Sequence, residues 1–71
     1  MVDVPAHITG TVWKVEKNVG DAVVASDILI ILESMKMEMP IEAPEDGRVK
    51  EIRCKETQAV NEGDVLVVLE S

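Results

Sequence analysis

The sequence predicts an all-β domain of about eight short strands, a sandwich or barrel of two four-stranded antiparallel sheets with internal pseudo-two-fold symmetry. Three observations carry this. Shifted by 37 positions, residues 2–34 lie on residues 39–71 without a gap, and ten of the 33 aligned pairs are identical. The apolar residues come in short β-branched runs, with turn signals roughly every 8–12 residues. Pro5, Pro40 and Pro44, the Gly/Asp punctuation and the β-branched content together leave no ten-residue window that suits a helix.

The repeat organises the elements. Ala6/Ala43, Gly10/Gly47, Val12/Val49, Ala22/Ala59, Val23/Val60, Asp27/Asp64 and Leu29/Leu66 are identical, and the match ends on Leu32-Glu33-Ser34 against Leu69-Glu70-Ser71. Besides Met1, only Met35-Lys36-Met37-Glu38 stands outside it. The chain therefore divides as one domain over 1–71, with halves 2–34 and 39–71 joined by a hairpin at 35–38. A solenoid needs about three repeats to bury a continuous core, so two copies point instead to a pair packed face to face.

In chain order, Thr11–Glu16 follows Gly10 and is β-rich, but its apolar residues Val12 and Val15 fall three apart. That breaks strict alternation and predicts a β-bulge. Ile28–Leu32 follows the turn signal Ser26-Asp27 and leads through a tight hairpin into a strand around Met39–Ala43. Arg48–Arg53 repeats the broken alternation with Val49 and Ile52, and Val65–Leu69 follows Gly63-Asp64. Each repeat unit is expected to supply one set of strands.

Length and composition bound the function. Seventy-one residues make one small domain, and a chain near this size buries only about 60% of the surface its unfolded form exposes. With one aromatic residue, Trp13, the core must be Val, Ile, Leu and Met. A net charge of −7 argues against nucleic acid and against an anionic membrane surface. The longest aliphatic runs, Ile28–Leu32 and the equally long Val65–Leu69, are too short for a transmembrane helix, and the N-terminus lacks the basic and apolar regions of a signal peptide. One cysteine, Cys54, excludes an internal disulfide and fits a reducing compartment. The expectation is a soluble, cytoplasmic, acidic domain.

The inventory for catalysis is poor. His7 is the only histidine and reads as a solvated residue near the N-terminus. Cys54 has no second Cys or His at ligand spacing, so it reads as a small hydrophobe rather than a metal ligand or nucleophile. The carboxylates are spread as on a solvated face, and there is no Gly-rich phosphate loop. The chain is read as a non-catalytic component.

The informative stretch is Glu33-Ser34-Met35-Lys36-Met37-Glu38-Met39, which holds three of the four methionines. Tight hairpins prefer Asn-Gly, Asp-Gly or Gly at the tip, and Met-Lys-Met suits no turn type. Two readings stand: an ordinary surface lysine between two core methionines, or a functional constraint overriding turn chemistry. In the second, two flexible apolar side chains flank one exposed amine and form an adaptable recognition surface.

Glu33-Ser34-Met35-Lys36-Met37 resembles the attachment motif of biotinyl domains, the carrier parts of biotin-dependent carboxylases. The resemblance covers essentially the whole chain: the Gly20-Asp21 and Gly63-Asp64 turns, the two aliphatic strands, Ala43, Gly47 and the duplicated layout. It implies a flattened barrel with the modified lysine on an exposed hairpin. It implies covalent biotin on Lys36, attached by a biotin protein ligase through an adenylated intermediate, with Met35 and Met37 as the flanks the ligase recognises. It further implies a biotin carboxylase that loads the ureido nitrogen and a carboxyltransferase that unloads it.

Three departures qualify the match. Ser34 stands where the family most often has Ala. Ser26 and Thr57 stand where the duplicated pattern favours Gly, and a positive φ there would strain each by on the order of 1 kcal/mol. The protruding thumb of some bacterial carriers is absent from the gapless repeat, so the chain resembles thumbless domains, either free-standing biotin/lipoyl attachment proteins or the C-terminal domain of a larger carboxylase. The main rival is a lipoyl carrier domain of a 2-oxo acid dehydrogenase-type complex, or a protein accepting both groups. Lipoyl hairpins set an acidic residue before the lysine and a small one after it, where this chain has Met35 and Met37. An unmodified hairpin that only docks a partner is the third reading.

Overall fold

The computed structural model describes all 71 residues. Eight strands form, four in each half: β1 (Val2–Pro5), β2 (Gly10–Val15), β3 (Ala22–Val23), β4 (Ile28–Ser34), β5 (Met37–Glu42), β6 (Gly47–Ile52), β7 (Ala59–Val60) and β8 (Val65–Glu70). There is no helix, so none is long and apolar enough to cross a membrane. The strands make two four-stranded antiparallel sheets, ordered β1-β8-β6-β3 and β5-β4-β2-β7. The 37-residue shift carries each sheet onto the other, so the pseudo-two-fold of the sequence is that of the fold.

The sheets do not coincide with the repeat units. Each takes two strands from either half, which corrects any division of the strands into one sheet per unit. Each half forms the central pair of one sheet, β4–β2 or β8–β6, and supplies both edge strands of the other. Backbone hydrogen bonds lock the halves reciprocally: Ala6 N–H donates to Asp64 C=O and Ala43 N–H to Asp27 C=O, both at 2.8 Å. Likewise Thr57 N–H donates to Val12 C=O at 2.7 Å and Gly20 N–H to Val49 C=O at 2.8 Å.

The broken alternation is a bulge in both copies. The β2–β4 register slips between Val12 and Lys14, and the β6–β8 register between Val49 and Glu51. The extra residues, Trp13 and Lys50, are exposed, and Trp13 keeps half its surface open to solvent.

One turn occurs four times. At 18–21, 24–27, 55–58 and 61–64 the last residue donates its N–H to the first residue's C=O at 3.0–3.1 Å. Its side-chain oxygen (Asp21, Asp27, Gln58 or Asp64) accepts the first residue's N–H at 2.8–3.1 Å. The third position has positive φ each time: Gly20 at 97°, Ser26 at 77°, Thr57 at 75° and Gly63 at 93°. That is the signature of type II turns, where glycine is favoured. Each symmetry-related pair holds one glycine and one strained residue, as the repeat alignment predicts for Ser26 and Thr57.

The core between the sheets is aliphatic. Leu29, Ile30, Leu32, Leu66 and Leu69 are at most 1% exposed and pack with Val4, Val12, Val49 and Val67; each large side chain buried there is worth about 1.5–3 kcal/mol. All four sheet edges are blunted. Strands β3 and β7 have two residues each, while β1 carries Pro5 and β5 carries Pro40.

Candidate functional site: the β4–β5 hairpin

The hairpin is held by the longest pairing in the molecule. Leu32 faces Met39, Glu33 faces Glu38, and Ser34 faces Met37. The turn is two residues, Met35 and Lys36; Met37 and Glu38, within the expected segment 35–38, already belong to β5. Met35 has φ 52° and Lys36 has φ 64°. Two consecutive positive φ values mark a type I′ turn, whose twist matches that of the strands and which Asn-Gly ordinarily supplies. A side chain bearing Cβ in this region costs roughly 1–2 kcal/mol per residue. The tip is thus strained twice over, and the β4–β5 ladder imposes the strain.

The side chains bear on the first of the two readings of the motif, which needs core methionines. Met35 is 92% exposed and Met37 62% exposed, so neither is a core methionine. Lys36 is exposed and makes no hydrogen bond or ion pair. Lys14 lies 3.6 Å from Glu16, and Lys50 Nζ donates to Met1 Sδ at 2.9 Å. Lys17 is half-buried, Lys55 is exposed, and Lys36 is the one lysine with positive φ. Glu33 and Glu38, both exposed and directly opposed, set two like charges just behind the tip. Such a pair weakens a ladder.

A residue that sequence reasoning treated only as punctuation supports the hairpin. A Cβ at Gly10 would lie 2.6 Å from the Glu33 carbonyl oxygen, so β2 runs against the end of β4 with no room for a side chain. Gly47 stands likewise 2.8 Å from the Glu70 oxygen. The identity of the two glycines in the repeat was the available signal.

The other candidate residues lie elsewhere. His7 is exposed in the bend after β1, on a groove of about 370 Å³ between the edge strands β1 and β5. A second groove, of about 450 Å³, runs from Arg53 to Leu66, and neither groove includes a residue between Glu33 and Met39. Cys54 is buried in the core, and burial pushes its thiol up, away from the reactive thiolate. Arg53 is held protonated by Glu51, its partner at 2.9 Å on the surface.

What the tip can do chemically is narrow. It offers one unengaged primary amine with no walls around it, suited to becoming an amide and unsuited to binding a small molecule reversibly. A group tethered there needs only the amine and a clear approach, and the hairpin supplies both.

Comparison with known proteins agrees. Residues 1–69 match the family model described as "Biotin-requiring enzyme". The chain is 48% identical over 66 residues to the biotin/lipoyl attachment protein of Bacillus subtilis, covering 93% of this chain and 90% of that one. It is 46% identical over 65 residues to the biotin carboxyl carrier protein of Streptococcus mutans, covering 92% of this chain and 50% of that one. Among solved structures, the urea carboxylase of Kluyveromyces lactis superposes with a TM-score of 0.93 at 38% identity, over 97% of this chain and 6% of that enzyme. A duplicated eight-stranded fold, an amine at its one interruption and a family match over nearly the whole length converge: this chain is a member of the biotin/lipoyl attachment domain family of biotin-requiring enzymes.

Proposed function

We propose that this chain is a biotin carboxyl carrier, with Lys36 as the covalent attachment point and Met35 and Met37 as the flanks by which a biotin protein ligase recognises it. The observation that carries the reading is the placement of the Lys36 amine, unengaged, on a strained two-residue turn at the one place where the repeat is interrupted. Biotin, when bound, supplies the ureido nitrogen on which a carboxyl group travels. In attachment, the deprotonated Lys36 Nζ attacks the carbonyl carbon of the adenylated biotin carboxyl. The amide C–N bond forms as AMP leaves, and the amine gives up its remaining extra proton to solvent or the ligase.

On this reading the domain is the non-catalytic carrier, whose task is to present a tethered arm to a biotin carboxylase and to a carboxyltransferase in turn. Tethering sets the effective concentration at each site by reach rather than by diffusion. A rigid sandwich measuring 33 × 18 × 18 Å suits this task. The lone unpaired Cys54 supports a cytoplasmic setting.

The test is incubation with biotin, ATP and a purified biotin protein ligase, read by intact mass and peptide mapping. One biotin on Lys36, and none on Lys36→Arg, is the expected result; label on the Arg variant contradicts the assignment. A parallel reaction with lipoate and a lipoate ligase is expected to leave the mass unchanged, since Met35 and Met37 replace the acidic and small flanks of lipoyl hairpins.

A further inference from the structure

The two flanking methionines have a chemistry of their own that attachment does not use. Of the four thioethers in the chain, two are accessible and unengaged, and these are Met35 and Met37. Met39 is half-buried opposite Leu32. Met1 is exposed, but its sulfur accepts a hydrogen bond from Lys50 Nζ at 2.9 Å, which draws on the lone pair an oxidant would need. The most oxidisable sulfurs therefore sit one residue to either side of Lys36.

We infer that the Met35–Met37 pair is a peroxide-sensitive modification site that controls use of Lys36; this rests on the carrier reading above. The lone pair of a thioether sulfur attacks one oxygen of hydrogen peroxide. An S–O bond forms and the O–O bond breaks. The departing hydroxide takes the proton from the transferred oxygen and leaves as water. Sulfur is oxidised by two electrons and the peroxide is reduced, giving methionine sulfoxide; thiol-dependent sulfoxide reductases reverse the change. An apolar, adaptable side chain becomes a polar one. Strand β5 begins at Met37 and the turn holds Met35 in the left-handed region, and in this geometry both side chains are presented to solvent. An enzyme that grips the hairpin by apolar flanks must then leave a sulfoxide oxygen unpaired in the contact.

The test is limited peroxide treatment of the full chain. Peptide mapping reads which methionines are oxidised, and ligase kinetics with biotin and ATP read the consequence. Oxidation is expected at Met35 and Met37 before Met39 and Met1. Labelling of Lys36 is expected to slow about tenfold, the effect of one polar group left unpaired in an apolar contact, and sulfoxide reductase should restore it. In Met35→Leu/Met37→Leu, compared with its own untreated sample, peroxide should change nothing. Equal labelling of oxidised and untreated chains, earlier oxidation of Met39, or an equal loss in the Leu variant would each overturn the inference. Untreated chain that takes no biotin would overturn the carrier reading instead.

Discussion

Val2 faces Leu69 across the β1–β8 pair as Met39 faces Leu32 across β5–β4, and Val4 faces Val67 as Ile41 faces Ile30. Both pairs slip register near the same end, at Pro5 and at Ile28. Each has a glycine pressed against the outgoing strand, Gly47 under Glu70 and Gly10 under Glu33. The two ends of the molecule are thus one frame built twice. They differ in that β4 and β5 run two pairs further, through Glu33–Glu38 and Ser34–Met37, and are closed by Met35-Lys36. The frame is a scaffold that either end supplies, and on the carrier reading proposed above the attachment chemistry belongs to the four-residue insertion and its strained turn.

The largest effect should come from moving that insertion. In a circularly permuted version of this chain, opened between Met35 and Lys36 and joined from Ser71 to Val2 through Met-Lys-Met-Glu, the new lysine should take biotin, where the original end had none. Absence of label would break the comparison and assign recognition to residues the ends do not share, such as Trp13 and its counterpart Lys50.

Next come the paired glycines. Gly10→Ala and Gly47→Ala each force a Cβ against a backbone oxygen, and both should destabilise the fold by about 1–3 kcal/mol, as overpacking does. Only Gly10→Ala should also slow labelling of Lys36, because only that clash moves the strand that carries the tip. Thermal melts beside ligase kinetics separate the two effects, and equal kinetic losses would show that the ends are coupled.

Smaller effects should come from relieving strain. Ser26→Gly and Thr57→Gly are expected to be neutral or stabilising by up to about 1 kcal/mol, whereas Gly20→Ala and Gly63→Ala, though open space surrounds both positions, should lose about as much. Met35→Asn should raise stability by about 0.5–1 kcal/mol, since Asn tolerates the left-handed region. The smallest is a pH effect. The folded thiol of Cys54 titrates above its ordinary value near 9.0. Its contribution to stability is therefore complete below that pH and lost as pH rises through the folded value. Cys54→Ala should flatten this alkaline slope in a series of melts.

Much of this was legible in the sequence for identifiable reasons. The bulges showed in Val12/Val15 and Val49/Ile52, because side-chain alternation has a fixed period of two. The strain at Ser26 and Thr57 showed because the repeat aligns them with Gly63 and Gly20. The exchange of strands between sheets did not show, since a repeat specifies equivalence and not which half pairs with which. Nor did the width of the turn: Met35 and Lys36 have no local preference for positive φ, and long-range β4–β5 pairing imposes it. Period-two patterning also left open whether the methionines flanking Lys36 were core or surface, and burial answered that.

Position on this frame, rather than exposure, is the central claim, and a register shift tests it most directly. Met35→Lys/Lys36→Met and Lys36→Met/Met37→Lys keep composition and exposure while moving the amine by one residue. At a catalytic centre, misplacement costs on the order of 10²-fold per ångström. Ligase time courses followed by intact mass should show Lys36 labelled in the parent chain and both swaps unlabelled, with unchanged melts. Shifted lysines labelled as fast as Lys36 would contradict the claim and leave exposure alone as the basis of recognition.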